Sequence, residues 1–498
     1  MKSKIPLFVA IFYGIFLLVW QKFDYFVPDF RLYASFGKLN LPAKDGFSSL
    51  FVKLSSYILD GYASLFIVGS ILLMSIGMYL FLSSFFLLIE NKYNRLLSVL
   101  VVANAGFWYY IYGKVYYDFP FTLALASLLL FSLCHWIKSE FPHGKTLFFI
   151  WVSILSGFIL SWKPYNVFVV AAFVVFVVSD RKLYLVFWDF FRSFKGFTFV
   201  IIAVSAGYIL GNYRFLSEPA ETLKGISAYP AKSGFINFIF KGQPTLWDHV
   251  ISAPFNDSSM QILVVITILI LLPLFLRVWM TLFCNLFILL FFYIFITQFS
   301  PGYAWHGFVF GIYTLVILLS LLYRNEAAVG RTALFVRVCL GIAISIQFYQ
   351  TWFVYIPKQV NAIVNTDKAI EAVAENSREI FEFIANTARK DGKKFAVFSD
   401  LRRMKVSPNE GNKKFVWIHG FKNYNDWESL YNEKNYDISE PYYIFRITPH
   451  RLEHLGQLMS NYEDPAVHVY PEGFDLQKYM VTRLLSVNEL TVRLYQKK

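Results

Sequence analysis

A chain of 498 residues with 57% apolar and 20% aromatic side chains, 16% charged ones and a mean hydropathy of +0.49 is too apolar for a soluble globule, in which about 25% of residues are charged. Its 55 Phe, 32 Tyr and 12 Trp exclude intrinsic disorder, and Cys134, Cys284 and Cys339, each inside an apolar stretch with no CxxC pair, supply neither a disulfide framework nor a structural zinc site. The net charge of +13 is not gathered on a basic face interleaved with stacking aromatics, which sets nucleic acid aside and assigns the excess to the ends of membrane helices.

Apolar runs at 5–20, 64–89, 95–112, 119–137, 147–162, 164–179, 198–211, 260–276, 279–297, 306–323 and 338–357 predict about eleven transmembrane helices, measured against the roughly 20 residues that cross a bilayer. The first run follows Lys2 and Lys4 without a small-residue cleavage site after Trp20, so it reads as a retained helix rather than a signal peptide. With the N-terminus cytoplasmic, the inner connections hold Lys92, Arg95, Lys138, Lys145, Arg181, Lys182, Arg192, Lys195, Arg277, Arg324, Arg331 and Arg337, while the short outer ones hold only Lys114 and Lys163. That asymmetry supports a cytoplasmic N-terminus, and the expected location is integral to the plasma or inner membrane, with the C-terminus outside after eleven crossings. Two long outer loops follow, at 21–63 and 212–259.

Within the first loop, Phe47, Leu50, Phe51, Leu54, Tyr57 and Ile58 share one helical face, with Lys53 and Asp60 at its margin. This spacing predicts an amphipathic helix, either lying at the outer interface or packing between two spans. Residues 235–251 form a weaker segment of the same kind.

Residues 1–357 carry only 14 of the 33 acidic residues, so the chain divides into a membrane part and a polar tail, 358–498. The tail predicts a helix near 365–391, capped by Asn365 or Thr366 and ended by Gly392. Strands are expected at KKFAVFSD, KKFVWIHGF, PYYIFRI, AVHVYPEG and LTVRLYQKK, with a second helix around 449–461. The expected fold is an α-helical polytopic membrane protein with a small C-terminal extracytoplasmic α/β domain. His419, His450, His454 and His468 are scattered through the tail and lack a zincin's Glu, so a solvated helix face accounts for the pair His450 and His454.

Ionisable side chains at the outer ends of apolar spans are costly unless they face a cavity or a partner, and three positions qualify: Asp29, Asp118 and Lys163. Asp29 lies in PDFRLYASFGKL, Asp118 in YYDFPFTLALASLLLF at the start of the fourth span, and Lys163 in SGFILSWKPYNVFVV at the next outer turn. In order and side these three segments resemble the GT-C superfamily, the polytopic glycosyltransferases that use polyprenyl-phosphate sugars, including the aminoarabinose and protein mannosyl transferases. Asp29, Tyr33 and Ala34 match that family's first-loop segment, with Phe30 where its second acidic residue stands; WHGFVFGIYTLVILLSLLY is similar to its late aromatic-basic span, with His306 at the basic position.

The resemblance covers roughly residues 1–325. It implies transfer of a sugar from a polyprenyl-phosphate donor to an extracytoplasmic lipid, glycan or protein acceptor. Asp29 is the expected base, with Asp118 orienting the acceptor or sharing that role. Lys163 is expected on the leaving phosphate, helped by His306 and by Arg214, Lys224, Lys232 or Lys241 of the second long loop. Tyr33 and Tyr117 are expected to bind acceptor or sugar. No cofactor is called for, and a divalent metal is left open. A lipid-linked saccharide flippase or transporter is the alternative, but no internal repeat accompanies the charged residues.

Overall fold

The computed structural model describes residues 4–20, 49–56, 63–104, 119–139, 145–163, 166–220, 264–299, 306–324, 330–357, 378–399, 430, 435, 441–449, 476–487 and 490–498. The described residues divide into two units between Pro357 and Lys358.

The first unit is helical throughout its described part: α1 (Ile5–Trp20), α2 (Ser49–Ser56), α3 (Ala63–Leu88), α4 (Lys92–Ala103), α5 (Phe119–Lys138), α6 (Lys145–Trp162), α7 (Val167–Ser179), α8 (Arg181–Phe191), α9 (Phe194–Gly211) and α10 (Arg214–Ser217). There follow α11 (264–275), α12 (Trp279–Phe299), α13 (His306–Arg324) and α14 (Arg331–Tyr349), the last continuing as a π-helical segment, Gln350–Tyr355. Among the described residues, five stretches are long and apolar enough to cross a membrane: Leu65–Leu88, Phe119–Lys138, Lys145–Trp162, Phe194–Gly211 and Arg331–Val354. Shorter apolar stretches lie in α1, α7, α11, α12 and α13. Of the expected span at 95–112, only the part to Asn104 is described, and there α4 has 12 residues.

The outward faces of these helices are apolar and the inward ones contain small and polar residues, the distribution a bundle in lipid requires. Phe8, Leu65, Leu147, Phe283 and Phe287 are exposed, whereas Ser70, Ser98, Ser127, Asn285 and Thr351 are buried. Backbones approach closely where α6 meets α9. Ser153, Gly157 and Ser161 line one stripe, Ala203, Gly207 and Gly211 the other, all buried at four-residue spacing. A Cβ at Gly157 would collide with the Val204 carbonyl oxygen, and one at Gly207 with that of Ile154. A second contact joins α12 and α13 to a π-helical turn of α11, Thr267–Leu271: Asn285 Nδ2 donates to the Leu269 carbonyl at 2.9 Å, and the Tyr313 hydroxyl donates to Asn285 Oδ1 at 2.7 Å. The residue four positions after Leu269 is Pro273, which has no N–H to donate, so the Leu269 carbonyl lacks its usual helical partner and Asn285 takes that place.

Basic residues gather at one end of the bundle. Arg95 reaches back over the C-terminus of α3, its Nε donating to the Ile89 carbonyl at 2.8 Å while the guanidinium stacks over Phe86. Lys138, closing α5, pairs with Glu90 at 2.6 Å, and this contact holds the Glu90 carboxyl below its ordinary range.

The second unit pairs a helix, 378–390, with a four-stranded sheet in the order β1-β2-β4-β3: β1 (Phe395–Ser399), β2 (Tyr443–Pro449), β3 (Tyr479–Val487) and β4 (Leu490–Lys497). β1 and β2 are parallel, and β4 is antiparallel to both β2 and β3. Gly392, at φ +60°, ends the helix, whose Ile380, Ile384 and Ala388 are buried and whose Phe383 meets Phe445 edge-on at 6.1 Å. Tyr443 donates its hydroxyl to Asp391 at 2.6 Å, and that bond, with burial, pushes the phenol up to about 12. β3 was not among the expected strands. A bulge between Val481 and Arg483 breaks its two-residue alternation, and residues 480–484 are exposed on both faces of the strand. The segments KKFVWIHGF and AVHVYPEG, and the helix expected from 449 onward beyond the end of β2, lie outside the described residues.

Candidate functional site

The end of the bundle away from the basic cluster is organised around the turn from α6 to α7. α6 stops at Trp162, the half-buried Lys163 follows, and the Asn166 amide closes the turn on the Lys163 carbonyl at 3.0 Å. The Asn166 side chain is wholly buried and ties three helices together at this point. Its Nδ2 donates to the Ile159 carbonyl of α6 at 3.0 Å and to Thr122 Oγ1 of α5 at 3.4 Å. A polar group sunk this far into an apolar bundle is held only where it has partners, so the turn is pinned against α5.

The end of α9 is fastened to the same turn. Asn212, buried just beyond Gly211, donates from Nδ2 to the Ser161 carbonyl at 3.1 Å. Two residues later Arg214 opens α10 with only 7% of its surface exposed. A guanidinium withdrawn from water to this degree favours anionic or carbonyl partners.

Aromatic rings fill the space between these chain ends. Trp162 is 2% exposed; it stacks on Phe121 at 4.8 Å and meets Phe51 of α2 edge-on at 5.5 Å. Phe51 is fully buried, which makes α2 a packing helix on that face; the flanking Phe47, Tyr57 and Ile58 of the expected amphipathic segment, like residues 235–251, lie outside the described residues. Phe119, which directly follows Asp118, lies 4.9 Å from Phe308, two residues after His306. The starts of α5, α7 and α13 and the ends of α6 and α9 therefore converge.

Two buried polar atoms at this turn have no hydrogen-bond partner among the described residues: Asn166 Oδ1, an acceptor, and Trp162 Nε1, a donor. Of the residues expected to act, Lys163 and Arg214 belong to this end, and His306 is the first residue of α13. Asp29, Tyr33, Tyr117, Asp118, Lys224, Lys232 and Lys241 lie outside the described residues. Among the described residues no three His, Cys, Asp or Glu side chains group as a metal site would require.

Asn166, Asn212 and Trp162 were not among the candidates read from the sequence, although an Asn three positions after a Lys at a membrane turn is a readable signal. The small-residue stripes of α6 and α9 were equally readable and predict the close pairing on which the site stands. The chain is an α-helical protein with several apolar helices of membrane-spanning length. It matches no protein-family model, no curated protein and no solved structure.

Proposed function

We propose that the chain is an integral membrane glycosyltransferase of the GT-C type, moving a sugar from a polyprenyl-phosphate donor to an extracytoplasmic lipid, glycan or protein acceptor. The observation that carries the reading is the convergence at one bundle end of the Lys163 turn, the buried Arg214, and the Phe119–Phe308 contact flanked in sequence by Asp118 and His306. In this reading Asp29 takes the proton of the acceptor hydroxyl and Asp118 orients the acceptor. The acceptor oxygen bonds to the anomeric carbon as the bond from that carbon to the phosphate oxygen breaks, and the phosphate leaves with the electron pair. Lys163 and Arg214 meet the charge that develops there. The active site and the tail are extracytoplasmic.

Lipid extracted from the purified chain and analysed by mass spectrometry should contain a polyprenyl-phosphate sugar, and the purified chain should consume it on addition of an acceptor extract. Lys163→Gln forfeits a charge-assisted contact of about 1.5–3 kcal/mol, so donor affinity should fall by roughly tenfold or more. Asp29→Asn should slow transfer by about two orders of magnitude or more without loss of the fold. Parent-like turnover in both variants would refute the assignment.

A further inference from the structure

The basic end of the bundle carries an element with no part in the proposed chemistry. α8 (Arg181–Phe191) is capped by Asp180, whose Oδ1 accepts from the Leu183 amide at 2.9 Å. Its inward side is fixed by rings: Phe187 lies 4.8 Å from Phe149 and 5.9 Å from Trp136, and Phe190 stacks on Phe149 at 4.2 Å. The corner into α9 is equally tight. Ser193 caps α9 by accepting from the Gly196 amide at 3.0 Å, and a Cβ at Gly196 would strike the Phe190 carbonyl oxygen. α8 is thus held rigidly, with one face turned outward.

That outward face combines two kinds of side chain that rarely share an exposed surface. Tyr184, Leu185 and Trp188 are exposed, as are Phe194, at 84%, and Phe197 beyond the corner; Tyr184 and Trp188 stack on each other at 6.0 Å. Arg181, Lys182, Arg192 and Lys195 are exposed among them. The only acidic residues of the stretch 180–195 are Asp180, engaged as the cap, and Asp189, 3.3 Å from Arg192. Water would leave the aromatic rings uncovered, and hydrocarbon would strand the cations. A boundary between acyl chains and anionic headgroups satisfies both.

We propose that α8 and its corner with α9 form a binding surface for anionic phospholipid headgroups. Tyr184, Trp188 and Phe194 sit at the headgroup level, and Arg181, Lys182, Arg192 and Lys195 engage the lipid phosphates. The proposal rests on embedding of the apolar helices in a bilayer and is independent of the transferase reading.

The test reconstitutes the full chain, and separately its Trp188→Phe variant, in phosphatidylcholine vesicles containing phosphatidylglycerol. Bromine is carried on the acyl chains of one lipid or, at the same mole fraction, of the other. The difference in emission between parent and Trp188→Phe isolates Trp188. Brominated phosphatidylglycerol should quench that emission about threefold or more above brominated phosphatidylcholine. The preference should vanish when Arg181→Gln, Lys182→Gln and Lys195→Gln are combined, and should survive when the same positions exchange Arg for Lys and Lys for Arg. Equal quenching by the two lipids, or a preference untouched by loss of the three charges, overturns the proposal. Absence of quenching by either lipid also overturns it, because the face is then covered by protein or open to water.

Discussion

Gly207→Ala probes how the α6–α9 pair holds the candidate site. The added Cβ would collide with the Ile154 carbonyl oxygen and lie 2.8 Å from Ile154 C and 3.0 Å from Ile154 Cα, backbone atoms that no rotamer change can move. Ordinary contact begins at 3.4 Å, so the helices must part by at least about 0.6 Å, the gap from 2.8 Å, and by more at the oxygen. Overpacking of this kind costs about 1–3 kcal/mol, and Ala returns about 0.5–1 kcal/mol over Gly within a helix. A net loss on the order of 1–2 kcal/mol is expected. The separation also stretches the Asn212–Ser161 bond at 3.1 Å, one turn further on, and moves Arg214 away from the Lys163 turn. Unfolding of the purified chain in mixed micelles by titration with dodecyl sulfate measures the loss, and, under the proposed function, a weaker binding of polyprenyl phosphate reports the displacement. Gly69→Ala and Gly341→Ala are the internal controls, because a Cβ at either position meets nothing within 4 Å. If Gly207→Ala is as stable as those two variants, the close approach of α6 and α9 is refuted.

Tyr313→Phe removes the donor to Asn285 Oδ1 and should cost about 1 kcal/mol in the same titration, whereas a variant as stable as the parent would show that the contact to the π-helical turn of α11 does not hold the three helices together. Glu90→Gln should melt with the parent at pH 7, because Glu90 and Lys138 are both well exposed. Glu90 is held below its ordinary carboxylate value chiefly by its hydrogen bond to Lys138, so the stability it contributes is present above pH 4.5 and is lost as pH falls through the lowered value. Any gap between parent and Glu90→Gln should therefore close on acidification, and a gap that widens would contradict the assigned pairing.

Much of the helical architecture is a one-dimensional property and was legible as such. A helix facing lipid needs apolar side chains all around it for most of its length, so the runs at 64–89, 119–137, 147–162 and 198–211 announce α3, α5, α6 and α9 without reference to any neighbour. The stop at Gly392 was readable for a similar reason, since the helix there ends in a left-handed residue that glycine adopts without strain. α8 escaped notice because its amphipathic pattern lasts only 11 residues between two longer apolar runs. β3 escaped because its bulge disrupts the alternation that identifies a strand.

The site end was beyond the reach of any local pattern. Asn166 is separated from Thr122 by 44 positions and Asn212 from Ser161 by 51, and nothing in either neighbourhood names the partner. Only the packing of α6 against α9, which depends on small residues meeting face to face, puts the Asn212 amide within reach of the Ser161 carbonyl. The contact of Phe119 with Phe308 likewise arises because α5 and α13 start at one end of the bundle. The sequence by itself determines which segments suit lipid, because transfer of a helix from water depends on its own side chains. Which charged and polar helix ends come together depends on pairwise contact between helices, and only the tertiary structure decides that.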